Sequence, residues 1–352
     1  MAQIDAFFSM MNELGASDLH LSSGSPPIIR LHGALQRVKF KVLEHEELKK
    51  LLYEITPEPK IKEFEEDGDI DFAYAVPGIS RYRVNYYLQQ RGIAAAFRTI
   101  PEQVLTLEQL GLPPIITEFC KLPKGLVLVT GPTGSGKSTT LAAMIDHINN
   151  QRQEHILTIE DPIEFLHQPK NCLINQREVG RDTKSVTAAL RGALREDPDV
   201  IMVGEMRDLE TIQLALTAAE TGHLVLGTLH TGNAPRTLDR VLDVFPTDQR
   251  DQIRVMVSES LRGILSQQLV PRIDGNGRVL ALELLVNTPA VPNCIREGKT
   301  FMLPGVMQTG KNVGMITMDE SLRRLYVQGI ISRDDLLYRA DDKNQMRAFL
   351  ES

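Results

Sequence analysis

The run Gly131-Pro-Thr-Gly-Ser-Gly-Lys137-Ser138 carries the residue types that phosphate chemistry requires. Its glycines let successive backbone N–H groups turn inward around an anion, and the segment after it presents the positive end of a helix. Lys137 has the reach for the β- and γ-phosphates of a nucleotide, and the Ser138 hydroxyl suits the shell of a Mg2+ ion. The pattern takes its meaning from its flanks. Here the apolar run Gly125-Leu-Val-Leu-Val-Thr130 precedes it as a strand, and Thr139 to Asn150 follows as a helix. The expectation is ATP with Mg2+, held by Gly131, Pro132, Thr133, Gly134, Ser135, Gly136, Lys137, Ser138 and Thr139.

Three further segments bring acids and histidines to strand ends. Ile156-Leu-Thr-Ile-Glu160-Asp161-Pro162-Ile163-Glu164 is an apolar strand whose carboxyl end delivers acids where ligands bind in open α/β sheets. Pro162 ends the strand and places Glu164 in a loop, so one of these carboxylates is expected to deprotonate the attacking water. Asp199-Val-Ile-Met-Val-Gly204-Glu205 is a second buried-type strand ending in an acid, suited to supporting Mg2+ through its water shell, with Glu where Asp is usual. Thr221-Gly-His223 and Thr228-Leu-His230 flank a third strand, Leu224–Leu226, and its histidines are expected to sense the γ-phosphate. Glu160, Asp161, Thr221 and His223 are therefore expected near the nucleotide, and Lys137, Glu164, Glu205 and His230 in catalysis.

At 352 residues the chain exceeds one ordinary domain. A net charge of −7 argues against a dedicated nucleic-acid binder, which needs clustered Lys and Arg. Cys120, Cys172 and Cys294 are too far apart in sequence for a C-x-x-C metal site, and they suggest a reducing cytosol. The start of the chain lacks a basic leader, and no apolar run approaches the roughly 20 residues that span a bilayer, so any membrane role is expected to be peripheral.

The elements that must position these groups begin with an amphipathic helix through Ile4, Phe7, Phe8, Met11 and Leu14, closed by Gly15. Extended segments follow at Asp18–Leu21 and Ile28–Leu31, then a helix over Leu43 to Glu54. The acidic run Glu63 to Asp71 has the wrong spacing for calcium, with Phe72 at the sixth loop position, and is expected to be a solvated loop. Arg81 to Ile100 alternates with period two around Gln89-Gln90-Arg91-Gly92, which pairs Leu88 with Ile93 and sets Arg83 opposite Arg98. Two facing like charges destabilise a hairpin, so either both side chains splay into water or an anion sits beside them. The implied division is an N-terminal domain over 1–100, a linker over 101–123 (Pro101 to Pro123), a nucleotide domain over 124–272, and a helical region over 273–352 beyond Asp274-Gly-Asn-Gly277. In that last region Leu322, Leu325, Tyr326 and Ile330 share one stripe.

Together these residues resemble the type II/type IV secretion ATPase superfamily, and within it the PilT-like type IV pilus retraction ATPases. The resemblance rests on the phosphate loop Gly131–Ser138, an aspartate box Thr158–Glu164, a Walker B region Arg195–Asp208 and a histidine box Thr221–His230. Ala16-Ser-Asp-Leu-His20 and the segment Ala290-Val-Pro-Asn-Cys-Ile-Arg-Glu297, which resembles a retraction motif, extend it over almost the whole chain. It implies an α/β protein with an N-terminal PAS-like α+β domain, then a RecA-like P-loop NTPase domain with a C-terminal helical portion, six copies forming a ring. It also implies Glu164 as general base, Glu205 supporting Mg2+, and the N-terminal arginines Arg81, Arg83 and Arg98 acting on the nucleotide. An arginine of that kind contributes roughly 10³–10⁵ in rate in other phosphoryl-transfer enzymes. The implied partners are an inner-membrane pilus platform protein and, indirectly, pilin, with the ring at the cytoplasmic side of the pilus base. Assembly and secretion ATPases of the superfamily, which usually carry an extra N-terminal domain and a four-cysteine zinc site, are the nearest alternative. A RecA-like nucleic-acid translocase is a more distant one.

Overall fold

The computed structural model describes residues 2–31, 34–100 and 103–351, and divides into two compact units. The first comprises Met1–Gln103 with Pro162–Leu166, and the second Val104–Asp161 with His167–Ser352.

The first unit is built on six strands: β1 (Asp18–Ser22), β2 (Ile28–Leu31), β3 (Ala34–Arg37), β4 (Asp69–Val76), β5 (Ser80–Gln89) and β6 (Gly92–Ile100). They form one antiparallel sheet in the order β3-β2-β1-β6-β5-β4. The helix expected near the start runs over Asp5–Leu14, and Gly15 ends it with φ 66°, a left-handed turn that glycine adopts without a Cβ clash. Phe8 from this helix stacks on Tyr82 of β5 at 4.3 Å and meets Phe97 of β6 edge-on, so the period-two face and the helical face share one aromatic core. A second helix, His45–Tyr53, buries Leu48 and Leu52. The acidic run is not a loop. It divides into the end of a helix, Glu58–Asp67, and the start of β4, because Phe64, Ile70 and Phe72 are buried and pull the chain into register between their charged neighbours.

In the second unit seven strands follow: β7 (Gly125–Thr130), β8 (His155–Glu160), β9 (Leu173–Glu178), β10 (Val200–Val203), β11 (Leu224–Leu229), β12 (Leu261–Pro271) and β13 (Arg278–Val286). Their order is β13-β12-β7-β11-β10-β8-β9, and every neighbouring pair is parallel except β12 with β13. β7, β10 and β11 are buried along their whole length, as expected of parallel strands covered on both faces. Strand order thus brings the carboxyl ends of β7, β11, β10 and β8 side by side, although their sequence order is different.

Two of the expected boundaries shift. Pro101 and Glu102 lie outside the described residues, but Leu107, Leu112, Ile116, Phe119 and Cys120 pack into the core of the second unit, so most of 101–123 belongs to that unit rather than to a linker. The apolar spacing of these residues is too short to announce a core face. At the other boundary, Asp274–Gly277 is the turn of the β12–β13 hairpin, with Gly275 and Gly277 at φ 72° and 84°, so a cut at 272 separates two paired strands. The helices beyond pack against that hairpin: Leu322 is buried with Val270 and Ala281, and Leu325, Tyr326 and Ile330 lie against the same cluster.

Candidate nucleotide-hydrolysis site

β7 ends at Thr130 and the chain turns through Gly131 (φ 141°), Gly134 (φ 77°) and Gly136 (φ 91°) into the helix Lys137–Gln151. Gly131 is required for space as well as for its dihedral. A Cβ there would stand 2.3 Å from the Gln267 carbonyl oxygen and 2.6 Å from Ser135 Oγ. Lys137 curls into the loop, with Nζ donating to the carbonyls of Gly131 at 2.9 Å and Pro132 at 3.2 Å. Ser135 Oγ is buried and has no hydrogen-bond partner among the described residues. A buried hydroxyl left unsatisfied inside a glycine cradle is a cost that an anionic ligand removes. Ser138 and Thr139 occupy the first turn of the helix, at its positive end.

Two strands over, beyond β11, Gly204 follows β10. A Cβ there would lie 3.2 Å from the Ile159 carbonyl oxygen, tight enough to favour glycine before Glu205. Arg207 donates to Glu205 Oε2 at 2.7 Å, and His230 Nε2 lies 3.2 Å from Oε1. The Arg207 guanidinium, and beyond it His230, hold the Glu205 carboxyl below the usual carboxylate range. On its other side His230 Nδ1 sits 3.5 Å from Lys137 Nζ. An ammonium has only donors and a carboxylate only acceptors, so the neighbours select the neutral tautomer with Nδ1 accepting and Nε2 carrying the proton. Lys137, His230, Glu205 and Arg207 therefore form a continuous polar chain from the phosphate loop to the end of β10.

Glu160 at the end of β8 is buried, and its Oε1 accepts from Thr158 Oγ1 at 2.7 Å and Gln176 Nε2 at 3.1 Å. Asp161 follows, exposed and within electrostatic range of Arg207.

Gly131–Thr139, Glu160, Asp161, Glu205 and His230 thus share the carboxyl edge of one sheet. Thr221 and His223 do not. Leu224 pairs with Gly125 and Leu229 with Thr130, so the residues before β11 lie at the opposite edge from the phosphate loop. There Thr221 Oγ1 bonds to the Thr217 carbonyl at 2.8 Å, and His223 Nδ1 lies 3.0 Å from the Ala218 carbonyl oxygen. They stabilise the end of the helix Leu209–Thr221 and do not reach the same chain's phosphate loop. Six residues of extended chain place the two histidines about 20 Å apart.

Glu164, Arg81, Arg83 and Arg98 belong to the first unit. The expected register there is met: Leu88 pairs with Ile93 and Arg83 with Arg98, although Gln89 also pairs with Gly92 and shortens the turn to Gln90-Arg91. Within the sheet, two carboxylates ease the charge conflict. Arg98 Nε donates to Asp18 at 2.9 Å, and Arg83 Nε lies 3.7 Å from Asp71, both acids on neighbouring strands. Arg81 sits on the same strand as Arg83, opposite Ile100.

Two residues went unseen in the sequence. Arg207 was signalled only by following Glu205 at one remove. Gln267 is a polar residue within the apolar strand β12; it is buried, and its Nε2 donates to Thr140 Oγ1 of the phosphate helix at 2.7 Å.

Lys137→Ala is expected to slow ATP turnover by about 10²–10³-fold, because it deletes the positive charge expected to meet the phosphates. Steady-state hydrolysis beside a nucleotide-binding titration checks this, and wild-type turnover would remove Lys137 from the site.

Residues 64–328, three quarters of the sequence and parts of both units, match the family described as type II/IV secretion system proteins. The chain belongs to that family. Among relatives of this secretion-family chain, the type IV pilus retraction ATPase PilT of Pseudomonas aeruginosa is 56% identical over 326 residues, 93% of this chain and 94% of that protein. A twitching motility protein of Neisseria gonorrhoeae is 49% identical over 345 residues, 96% of this chain and 92% of that one. The crystal structure of the pilus retraction motor PilT with bound ADP superposes with a TM-score of 0.91 at 47% identity, covering 99% of each chain. The secretion-family chain is an ATPase with a mixed α/β fold.

Proposed function

We propose that this ATPase is the motor of type IV pilus retraction, working as a homohexameric ring at the cytoplasmic side of the inner membrane. The observation that carries the reading is a phosphate loop joined through His230 to Glu205, in a chain so similar along its length to retraction ATPases. In this reading the antiparallel first unit is PAS-like and the parallel second unit RecA-like. No helix among the described residues is long and apolar enough to cross a membrane, which suits a motor that pushes on an inner-membrane platform protein. Pilin is then moved indirectly, and nucleic acid is not a partner.

In hydrolysis the γ-phosphoryl passes to water. Glu164 takes the water's proton, the bond from the γ-phosphorus to the bridging oxygen breaks, and ADP and phosphate leave. Lys137 exchanges the Gly131 and Pro132 carbonyls for phosphate oxygens, which releases His230 Nδ1 and lets that ring report nucleotide occupancy. Ser138 and Glu205, both hard oxygen donors, would hold Mg2+, which supplies charge neutralisation to the phosphates when bound. Arg207 keeps Glu205 ionised for that task.

Deleting the gene is expected to leave cells hyperpiliated and unable to twitch. Loss of pili would assign the motor to assembly instead. Single-stranded DNA is expected not to stimulate hydrolysis, and salt-sensitive stimulation would point to a translocase.

A further inference from the structure

Four residues beyond His230 the chain enters the helix Ala234–Asp243, and the first N–H of that helix is not left to solvent. Ala234 N donates to Glu283 Oε1 of β13 at 2.7 Å, and Met318 N, which opens the helix Met318–Val327, donates to Oε2 at 3.4 Å. One carboxylate, only 3% exposed, therefore closes the N-termini of two ten-residue helices at once. A second tie runs beside it. Asn233 caps the first helix by accepting from Arg236 N at 3.1 Å, and its Nδ2 donates to Asp341 Oδ2 at 3.2 Å. Asp319 in turn accepts from the Asp341 and Asp342 amides at 2.7 and 2.9 Å, which fastens the start of the last helix, Lys343–Glu351. A cavity of about 660 Å³ opens along this seam. The start of the helix Ala234–Asp243 is thus held to the helices Met318–Val327 and Lys343–Glu351 through shared carboxylates, the apolar side chains of Ala234–Asp243 and of Met318–Val327 lying in separate clusters.

We propose that Glu283 is a positioning residue for ATP hydrolysis, a buried post that locks the helix following His230 to the C-terminal helices. The proposal rests on the reading that His230 reports nucleotide occupancy. When Lys137 changes partners and His230 shifts, the N-terminus of Ala234–Asp243 is the next element along the chain to receive the movement, and Glu283 passes it to Met318–Val327. Ionised, the carboxylate offers both oxygens to the two helix ends, which favour negative charge. Protonated, it surrenders part of that capacity to its own hydroxyl. The charged groups that line the cavity with it are Asp319 from the second helix, Asp341 and Asp342 ahead of the last helix, and Lys343, and of these Asp341 and Asp319 act on its carboxyl. The other helices bordering the cavity turn only Pro235, Pro304 and Gln308 toward it. Burial, with Asp341 and Asp319 adding to it, raises the Glu283 carboxyl to about 7, so the brace forms as pH rises through neutrality and is lost below it.

The test uses the full chain with ATP and Mg2+. In Glu283→Gln the amide oxygen still accepts one N–H, while the NH2 group opposes the other. kcat is expected to fall about tenfold with KM for ATP changed by less than about twofold, as misplacement of a supporting element rather than loss of binding. Hydrogen exchange is expected to quicken at the starts of both helices. The wild-type kcat is expected to rise with pH through a limb near 7 that Glu283→Gln lacks. Asp341 is exposed, so Asp341→Asn keeps the fold, and by removing a neighbouring negative charge it is expected to move the limb to lower pH. Wild-type kcat in Glu283→Gln, unchanged exchange at both helix starts, or a limb that persists in Glu283→Gln or stays put in Asp341→Asn would each overturn the proposal. His230→Ala separates the two readings: if it hydrolyses ATP at the wild-type rate, His230 is not the sensor, whatever Glu283 does to exchange.

Discussion

Arg98→Ala and Arg83→Ala are expected to slow ATP hydrolysis, by about 10³-fold or more for whichever guanidinium stabilises the γ-phosphate in the transition state. That is about 4 kcal/mol of barrier, beyond anything a surface ion pair supplies. The two variants should differ in a second respect. Arg98 is the close partner of Asp18, which is almost fully buried, whereas Arg83 and Asp71 are both half-exposed and 3.7 Å apart. Arg98→Ala removes the closer of two arginines from a buried carboxylate, leaving it the Ser17 hydroxyl at 2.7 Å and Arg30 at 3.7 Å, and is expected to lower the melting temperature, while Arg83→Ala is expected to leave it unchanged. Steady-state turnover measured beside thermal unfolding separates the roles. Wild-type turnover in both variants removes these arginines from the chemistry and leaves them as charges that stitch the sheet together.

Glu164→Gln is expected to lower kcat by about 10²–10⁴-fold, the contribution of a positioned general base, with ATP binding retained. The amide keeps the size of the side chain and loses only its ability to take a proton. A single-turnover measurement should show bound ATP that persists without cleavage. Turnover equal to the wild type would pass the base role to another acid, with Glu160 the weaker candidate because Thr158 and Gln176 already occupy one of its oxygens.

Much of the candidate catalytic edge is legible in the sequence alone. Glycine at φ 77° and 91° is a requirement of the backbone, and an apolar strand followed by such a loop and a helix leaves few other readings. The Arg83–Arg98 register was legible too, because a period-two pattern around a short turn allows one pairing that keeps the apolar face inside. The acidic run from Glu63 to Asp71 misled because charge is conspicuous in a sequence, whereas Phe64, Ile70 and Phe72 do the anchoring from three isolated positions.

His223 and His230 show where the sequence stops. Both flank one strand, and seven positions along the chain look close, but a strand has two ends and only its direction in the sheet says which end meets the phosphate loop. The partners of Arg98 and Glu283, and the approach of His230 to Glu205, were equally out of reach, since each lies on an element that becomes a neighbour only through sheet order or helix packing. By itself the sequence determined the phosphate loop, the alternating strands and the kind of chemistry, because dihedral demands and apolar period are properties of consecutive residues. Only the tertiary structure decided which donors face which acceptors, that Lys137, His230 and Glu205 form one chain, and that a buried carboxylate ties the C-terminal helices to it. Those pairings join residues 25 to 93 positions apart, and what selects them is the satisfaction of buried polar groups in the packed whole.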